Sequence, residues 1–403
     1  MHIAMFLDQH PRSLGGIQTS AMLQRKYLQK LGHKVTFVSP ASGKRLIEKG
    51  FFTLPSWPLT VNLEYSFVWN LRRCRKRLDR SQQRRTDKFD VVHIQADMWS
   101  AAIGIGFAQR NDLPVVMTSH FNLAAGTQEV IGKWPSKFLF WLLSREFLKH
   151  IRKSTRDTTT NAWKYIRLLT REVDLLLAPS RHFADDLREH GVSAELRVMH
   201  NGVDDERIES ALANLKEKPN HGDGLTHLVW AGRFQHEKRL LEFIEAVHVA
   251  KLQGVVVDVY GKGPIGKRAI ELVEEYDLES VVKFHGRAPH AQMLTIFAKS
   301  DALVQTSIGF ETQGMTVYEA AAVGTPSIIC DENIGAEFQA GDYWPVANGS
   351  IAALAKTLKQ AVADIQAGDN RGERLIGNDD LLQSSLTKKA VAIYEELLAR
   401  HNR

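Results

Sequence analysis

Several kinds of protein are excluded by what this sequence lacks. It has only two cysteines in 403 residues, Cys74 and Cys330, too few for a disulfide framework and in no zinc or redox spacing. Both are expected to be bystanders. Apolar runs such as Phe138–Leu143 fall far short of the roughly 20 residues that cross a bilayer. The opening Met-His-Ile-Ala-Met-Phe-Leu-Asp lacks the basic start, long apolar stretch and small-residue cleavage site of a secretory leader, so a cytoplasmic location is expected. There is no Asp-x-Asp pair for a divalent cation, and no metal site is expected. With 44% hydrophobic and 24% charged residues the chain has the composition that packs cores, which excludes wholesale disorder and collagen-like repeats. At roughly 150 residues per domain, the length allows two to three domains.

What is present in excess is positive charge in two places. The formal net charge is +6, but the segment 66–88 holds Arg72, Arg73, Arg75, Lys76, Arg77, Arg80, Arg84, Arg85 and Lys88 against Asp79 and Asp87. The segment 133–171 is as basic, with Glu146 and Asp157 its only acids. The remainder of the chain is acidic. Basic clusters of this kind suit nucleic acid, an anionic membrane surface or an acidic substrate, and a solvated helix face explains them equally. Between Trp134 and Trp163 the cations interleave with Phe138, Leu139, Phe140, Trp141, Leu142, Leu143 and Phe147. Such a helix either lies in a lipid headgroup region or buries its apolar residues in a core.

Short apolar runs alternate with helix-length amphipathic stretches, the pattern of βα units around parallel sheets. The runs His2–Leu7, Lys34–Ser39, Phe89–Ile94, Pro114–Ser119, Asp174–Ala178 and Leu196–Met199 predict one series of strands. A second series comprises His227–Ala231, Val255–Tyr260, Val281–Phe284, Ala302–Thr306 and Pro326–Cys330. The polar stretch Asn201–Gly224 reads as an interdomain connection. The expected organisation is a domain over 1–203, a second over 204–380, and a terminal helix over 381–403 that either packs back on the first or lies elsewhere. The expected fold class is α/β, with two facing Rossmann-like, doubly wound parallel-sheet domains. Such sheets bind ligands beyond the carboxyl ends of their strands, so the strand-to-helix loops are where chemistry is sought.

Three such loops stand out. After the first strand, Gly15 and Gly16 precede a helix, where paired glycines let backbone N–H groups approach a phosphate; a turn needing positive φ explains them as well. After His227–Ala231 come Arg233 and Lys238, a guanidinium fork and an ammonium that can converge on one diphosphate; a capped helix start with solvated charges is the competing reading. After Ala302–Thr306 come Glu311, Gly314, Met315, Thr316 and Glu319. Two carboxylates at a helix mouth accept from vicinal hydroxyls, and the N–H groups of Gly314, Met315 and Thr316 open toward the same ligand. Glu319 lies beyond the first turn, so the helix dipole alone does not account for it.

The order Gly-Arg-x4-Lys, then Glu-x7-Glu enclosing Gly-Met-Thr and followed by Gly-Thr-Pro, with Asn201-Gly202-Val203-Asp204 before it, resembles the retaining family 4 glycosyltransferases of the GT-B superfamily. The similarity spans essentially the whole chain. Glu311-Thr-Gln-Gly resembles glycolipid-forming members such as diacylglycerol glucosyltransferases more than the commoner Glu-Pro-Phe-Gly. The resemblance implies that Arg233 and Lys238 hold the donor diphosphate, Glu319 the nucleotide ribose, Glu311 the donor sugar, and Gly16 the diphosphate from the first domain. His120, in Thr-Ser-His, resembles the family histidine near the transferred sugar, although a strand-end histidine taken alone is more often structural.

The expected activity is therefore metal-independent, retaining transfer of a hexose from a UDP- or GDP-hexose donor, with no cofactor, to a hydroxyl acceptor. A membrane lipid or glycolipid is the favoured acceptor and a soluble sugar or polyol the alternative. Peripheral association with the inner face of the plasma membrane, through the basic segments 66–88 and 133–171, is expected. Other enzymes with such domains, an epimerase or a phosphorylase, and a non-catalytic protein binding sugar nucleotides or nucleic acid are competing readings. The acidic remainder and the lack of an RNA-binding module disfavour nucleic acid, and no nucleic-acid partner is expected.

Overall fold

The structure is a computed structural model that describes residues 1–13, 15–41, 49–58, 66–68, 71–120, 133–147, 151, 159–213, 224–369 and 371–402. It divides into two compact units, Met1–Asn201 with Gln383–Arg403, and Gly202–Leu382.

The first unit is built on the strands β1 (His2–Leu7), β2 (Lys34–Pro40), β3 (Phe51–Leu54), β6 (Val91–Gln95), β7 (Val115–Thr118), β8 (Leu175–Ala178) and β9 (Leu196–Val198). A two-residue ladder, β4 (Trp57–Pro58) with β5 (Ser66–Phe67), stands apart from the sheet. The sheet is parallel throughout, in the order β3-β2-β1-β6-β7-β8-β9. Helices α1 (Gly16–Lys30), α2 (Leu71–Arg84), α3 (Trp99–Asn111), α4 (Lys133–Phe147), α5 (Ala162–Thr170) and α6 (Arg181–Glu189) complete the βα series. Every residue of β1 is buried, as a parallel strand covered on both faces requires. Its alternate residues divide between two cores: Ala4 and Phe6 pack with Ile105 and Phe107 of α3, while Ile3, Met5 and Leu7 pack on the opposite face.

The second unit carries β10 (Thr226–Ala231), β11 (Val255–Tyr260), β12 (Val282–Gly286), β13 (Ala302–Gln305), β14 (Ser327–Ile329) and β15 (Tyr343–Pro345). They form a parallel sheet in the order β12-β11-β10-β13-β14-β15. Its helices are α7 (Asp205–Ala213), α8 (Leu240–Ala250), α9 (Gly266–Glu275), α10 (His290–Lys299), α11 (Met315–Ala322), α12 (Glu332–Gly335) and α13 (Ile351–Gln366). Helix α14 (Gln383–His401) returns to the first unit, where Ala390, Tyr394 and Leu397 cover the Ile3, Met5 and Leu7 face of β1. The Tyr394 hydroxyl lies 2.7 Å from Nδ1 of the fully buried His93.

The eleven apolar runs read as strands all lie on strands. The reading of Asn201–Gly224 as connection needs correction: Asp205–Ala213 is α7, whose Ile208 and Ala211 pack with Leu294 and Phe297 of α10. Its acidic start, Asp205 and Glu206, complements the helix dipole, and only two buried residues made it look like a polar linker. Residues 214–223 of that stretch lie outside the described residues.

Strand order positions the loops that matter. In each sheet the first strand of the unit has neighbours on both sides whose connections leave in opposite directions, which opens a crevice between the loops that follow. In the first unit those loops follow β1 and β6. In the second they follow β10 and β13, which carry Arg233 with Lys238 and Glu311 with Glu319 respectively.

Candidate active site

In the second unit the chain leaves β10 through Gly232-Arg233-Phe234-Gln235 and makes a single 3₁₀ turn, His236–Lys238, before α8. Thr306, just past β13, ties the two loops together: its hydroxyl donates to the Lys238 carbonyl (2.5 Å) and accepts from the Trp230 indole (2.9 Å). The Lys238 ammonium is ion-paired with Glu311, and Ser307 donates to the same carboxylate oxygen at 3.0 Å. Gln305 in turn donates to the Ser307 hydroxyl at 2.8 Å. Arg233 leans toward Glu237 (3.7 Å), with its side chain 65% exposed, so cation and carboxylate alternate along this edge.

Gly314 ends the loop with φ 79°, as the residue before α11. That conformation favours glycine, and a Cβ there would sit 3.0 Å from the end of the Ile334 side chain, which would have to give way. The first N–H groups of α11, beginning with Met315 and Thr316, are those a helix leaves without intrahelical acceptors. Glu319 lies one turn into the helix and accepts from His290 Nε2 at 2.9 Å. That bond is the main cause that raises the His290 pKa above its ordinary value. Arg207 approaches the other ring nitrogen at 2.8 Å and Asp204 at 3.5 Å. The two glutamates thus have different neighbours, Lys238 for one and His290 for the other.

In the first unit, Gly15 and Gly16 do open α1. The turn explanation for them does not hold: Gly15 has an extended φ of 163°, and Gly16 is not among the glycines of positive φ. A Cβ at Gly16 would meet nothing within 4 Å, so that flank of the helix start is open. His120 follows β7 and lines a polar cavity with Ser20, Gln24, Gln95, His200 and Asn201. Burial pushes its pKa down to about 4, so the ring is neutral near pH 7.

Sequence reading missed several residues of these loops. Asp8, directly after β1, accepts from the N–H groups of Asp97 (2.9 Å), Met98 (2.8 Å) and Ser100 (2.9 Å) and so caps α3 from another strand. Burial raises Asp8 to about 6; burial and the neighbouring Asp8 raise Asp97 to about 8. Nothing local in the sequence marks this pair, because adjacent parallel strands bring it together. A signal did exist for Gly261-Lys-Gly263-Pro-Ile-Gly266, whose spacing is that of a dinucleotide fingerprint. Here a Cβ at Gly261 would lie 1.9 Å from the Gly232 carbonyl oxygen and one at Gly263 2.3 Å from that of Phe234. These glycines let the loop after β11 pack against the loop bearing Arg233. Both cysteines are buried and free.

Two units, each with a parallel sheet flanked by helices, and the loops described above define a GT-B fold. The crystal structure of the Anabaena protein HepE in complex with UDP superposes with a TM-score of 0.71, covering 98% of this chain and 99% of that one at 16% identity. Sucrose-phosphate synthase from Thermosynechococcus elongatus gives 0.73 over 99% of both chains at 18% identity. Residues 14–207 match Glycosyltransferase Family 4 and residues 213–375 match Glycosyl transferases group 1. The chain belongs to the family 4 glycosyltransferases and is a glycosyltransferase. Among curated proteins it is 26% identical to the alpha-monoglucosyldiacylglycerol synthase of Streptococcus pneumoniae, over 81% of this chain and 70% of that protein. It is 23% identical to sulfoquinovosyl transferase SQD2 of Arabidopsis thaliana, over 81% and 59%.

Proposed function

We propose that the protein transfers a hexose, with retention of anomeric configuration and without a metal ion, from a UDP-sugar to a diacylglycerol-type lipid. The observation that carries this reading is the Lys238–Glu311 pair, held between the loops after β10 and β13 beside the N-terminus of α11. In this reading Lys238 and Arg233 take the negative charge that develops on the leaving diphosphate, the role a cation would otherwise fill. The α11 N–H groups at Gly314, Met315 and Thr316 assist them, as does the open start of α1 at Gly15 and Gly16. Glu319 takes the ribose hydroxyls, Glu311 a hydroxyl of the donor sugar, and His120 faces the transferred sugar. The names of the Streptococcus and Acholeplasma relatives, both alpha-monoglucosyldiacylglycerol synthases, support glucose and a lipid acceptor, and the UDP bound by HepE supports the nucleotide.

A specific observation supports a membrane-surface partner. Helix α4 buries Phe140 and Leu143 but leaves Trp134 80% and Phe138 64% exposed. Lys137 lies over Trp134 and Arg145 over Trp141, each at 5.1 Å, so one helix face offers aromatic rings and cations together, as a headgroup region favours. Lys164 and Arg167 of α5 and Arg171 just after it line a second cavity with Gly191. Helix α2 buries Cys74, Leu78 and Gln82 and turns most of its arginines outward. Lys149, Arg152, Lys153 and Arg156 of the second basic segment lie outside the described residues.

Thermal shift with UDP-, GDP- and ADP-hexoses tests the donor: selective stabilisation by the UDP-sugar is expected, by RT ln(1 + [L]/Kd), and equal or absent shifts would overturn it. Co-sedimentation tests the surface. Binding to phosphatidylglycerol vesicles that weakens with salt is expected, and equal or absent binding to phosphatidylglycerol and zwitterionic vesicles would remove the membrane claim.

A further inference from the structure

Two consecutive hydroxyls follow β13, and they hold different members of the Lys238–Glu311 pair. Thr306 donates to the Lys238 backbone carbonyl, and Ser307 donates to the Glu311 carboxylate. Both residues are 3% exposed. Behind Ser307 stands Gln305, the last residue of β13, whose carboxamide nitrogen donates to the Ser307 hydroxyl at 2.8 Å and to the Ser307 carbonyl at 2.9 Å. A backbone carbonyl can only accept, so a reversed carboxamide would set oxygen against oxygen. The direction of the chain is therefore fixed: Gln305 gives to Ser307, and the one hydrogen of Ser307 goes to Glu311. This orientation has a cost at the other end of the carboxamide. Gln305 Oε1 is buried with no hydrogen-bond partner among the described residues, a state that is rare in folded proteins.

We propose that Ser307, backed by Gln305, is the positioning residue that keeps Glu311 aimed at the donor sugar while Lys238 turns to the diphosphate. The proposal rests on the reading that Glu311 takes a sugar hydroxyl and Lys238 the diphosphate. In that reading one ammonium serves two anionic partners, Glu311 Oε1 before the donor arrives and the diphosphate once it is bound. Sharing the lysine loosens its hold on the carboxylate. Ser307 donates to the same Oε1 at 3.0 Å, and its burial keeps a phosphate from taking that hydrogen away. The rest of the loop does not depend on this hydroxyl. The Gly309 N–H donates to Asp331 at 2.7 Å, and Thr306 stays tied to Lys238. Removing the Ser307 hydroxyl should therefore release the carboxylate and leave the loop in place.

The test is a double-mutant cycle of Ser307→Ala and Glu311→Ala in the full chain, read by calorimetry with UDP and with UDP-glucose and by turnover. Ser307→Ala should leave UDP affinity within about twofold, weaken UDP-glucose about fivefold and lower kcat about tenfold, the scale of one hydrogen bond to a charged group. In Glu311→Ala there is no carboxylate to hold, so adding Ser307→Ala should change UDP-glucose affinity and kcat by less than about twofold. Gln305→Met keeps the serine and removes the amide behind it. It should show the same selective loss of UDP-glucose over UDP at smaller size, and it serves as the second variant should Ser307→Ala fail to fold. An unaffected Ser307→Ala, losses that multiply in the double mutant, or UDP weakened as much as UDP-glucose would overturn the proposal and leave the role of Glu311 standing. If Glu311→Ala itself binds UDP-glucose and turns over normally, the sugar-facing reading falls and the proposal falls with it.

Discussion

Lys238 and Glu311 neutralise one another in the second unit, so replacing the lysine removes a cation and also strands a carboxylate. Lys238→Ala should lower transfer by about two to three orders of magnitude, the scale of deleting one charge-stabilising group from a transition state. Circular dichroism should show the fold retained. Near-normal turnover at saturating donor would contradict the diphosphate role. The two glutamates should fail differently. Glu319→Gln should weaken UDP and UDP-sugar alike and lower the His290 pKa toward its ordinary value, since the Glu319 bond is what raises it. Glu311→Gln should weaken the sugar-bearing donor more than UDP, and calorimetry with UDP in which Glu311 mattered more than Glu319 would reverse the assignment. At this scale the sequence names the residue types and their loops. It does not show that Lys238 meets Glu311 while Glu319 meets His290, because those pairings depend on which strands are neighbours.

At the scale of elements, the strands were legible because continuous apolar runs bounded by turns are what a doubly covered parallel sheet needs. Two edge strands escaped, β3 with four residues and β15 with three, ending in Pro345. The last helix was legible as a helix but not as a neighbour of β1, since its apolar face fits any core. Its docking has a specific polar contact. Tyr394→Phe should cost about 1–3 kcal/mol by leaving a buried ring nitrogen of His93 without its partner, read as weaker hydrogen-exchange protection of β1 and α14. Unchanged protection would show that the hydroxyl is not part of the docking. In the second unit Gly263→Ala should force the loop after β11 away from Phe234 and displace Arg233, raising the donor KM, whereas an unchanged KM would mean that the two loops move independently.

For the whole molecule, net charge of +6 said little until its location was known, and buried charge was not legible at all. The first unit holds Asp8 and Asp97, with pKa values raised by burial to about 6 and about 8, and His93 and His120, lowered by burial to about 3 and about 4. A raised carboxyl stabilises below its unfolded value and loses that contribution as pH rises through the folded value; a lowered histidine stabilises above its unfolded value and loses that contribution as pH falls through the folded one. The pairs oppose one another between about pH 4 and 6. Only from about pH 7.5 to 8 are both histidines nearly neutral in either state, and there Asp97 alone still holds a proton that the unfolded chain has lost. Stability of the first unit should therefore fall across that window by up to about 1.4 kcal/mol per pH unit, and Asp97→Asn should flatten the fall. A native curve that is flat or rising there would show Asp97 to be ionised. The most direct measurement of what the molecule does is transfer of labelled glucose from UDP-glucose into vesicles of diacylglycerol and phosphatidylglycerol, followed by organic extraction. Label in an extractable α-glucosyl lipid, stoichiometric with released UDP and almost abolished in Lys238→Ala, is the predicted result. Label that stays in water-soluble products, or a β-linked lipid, would contradict it.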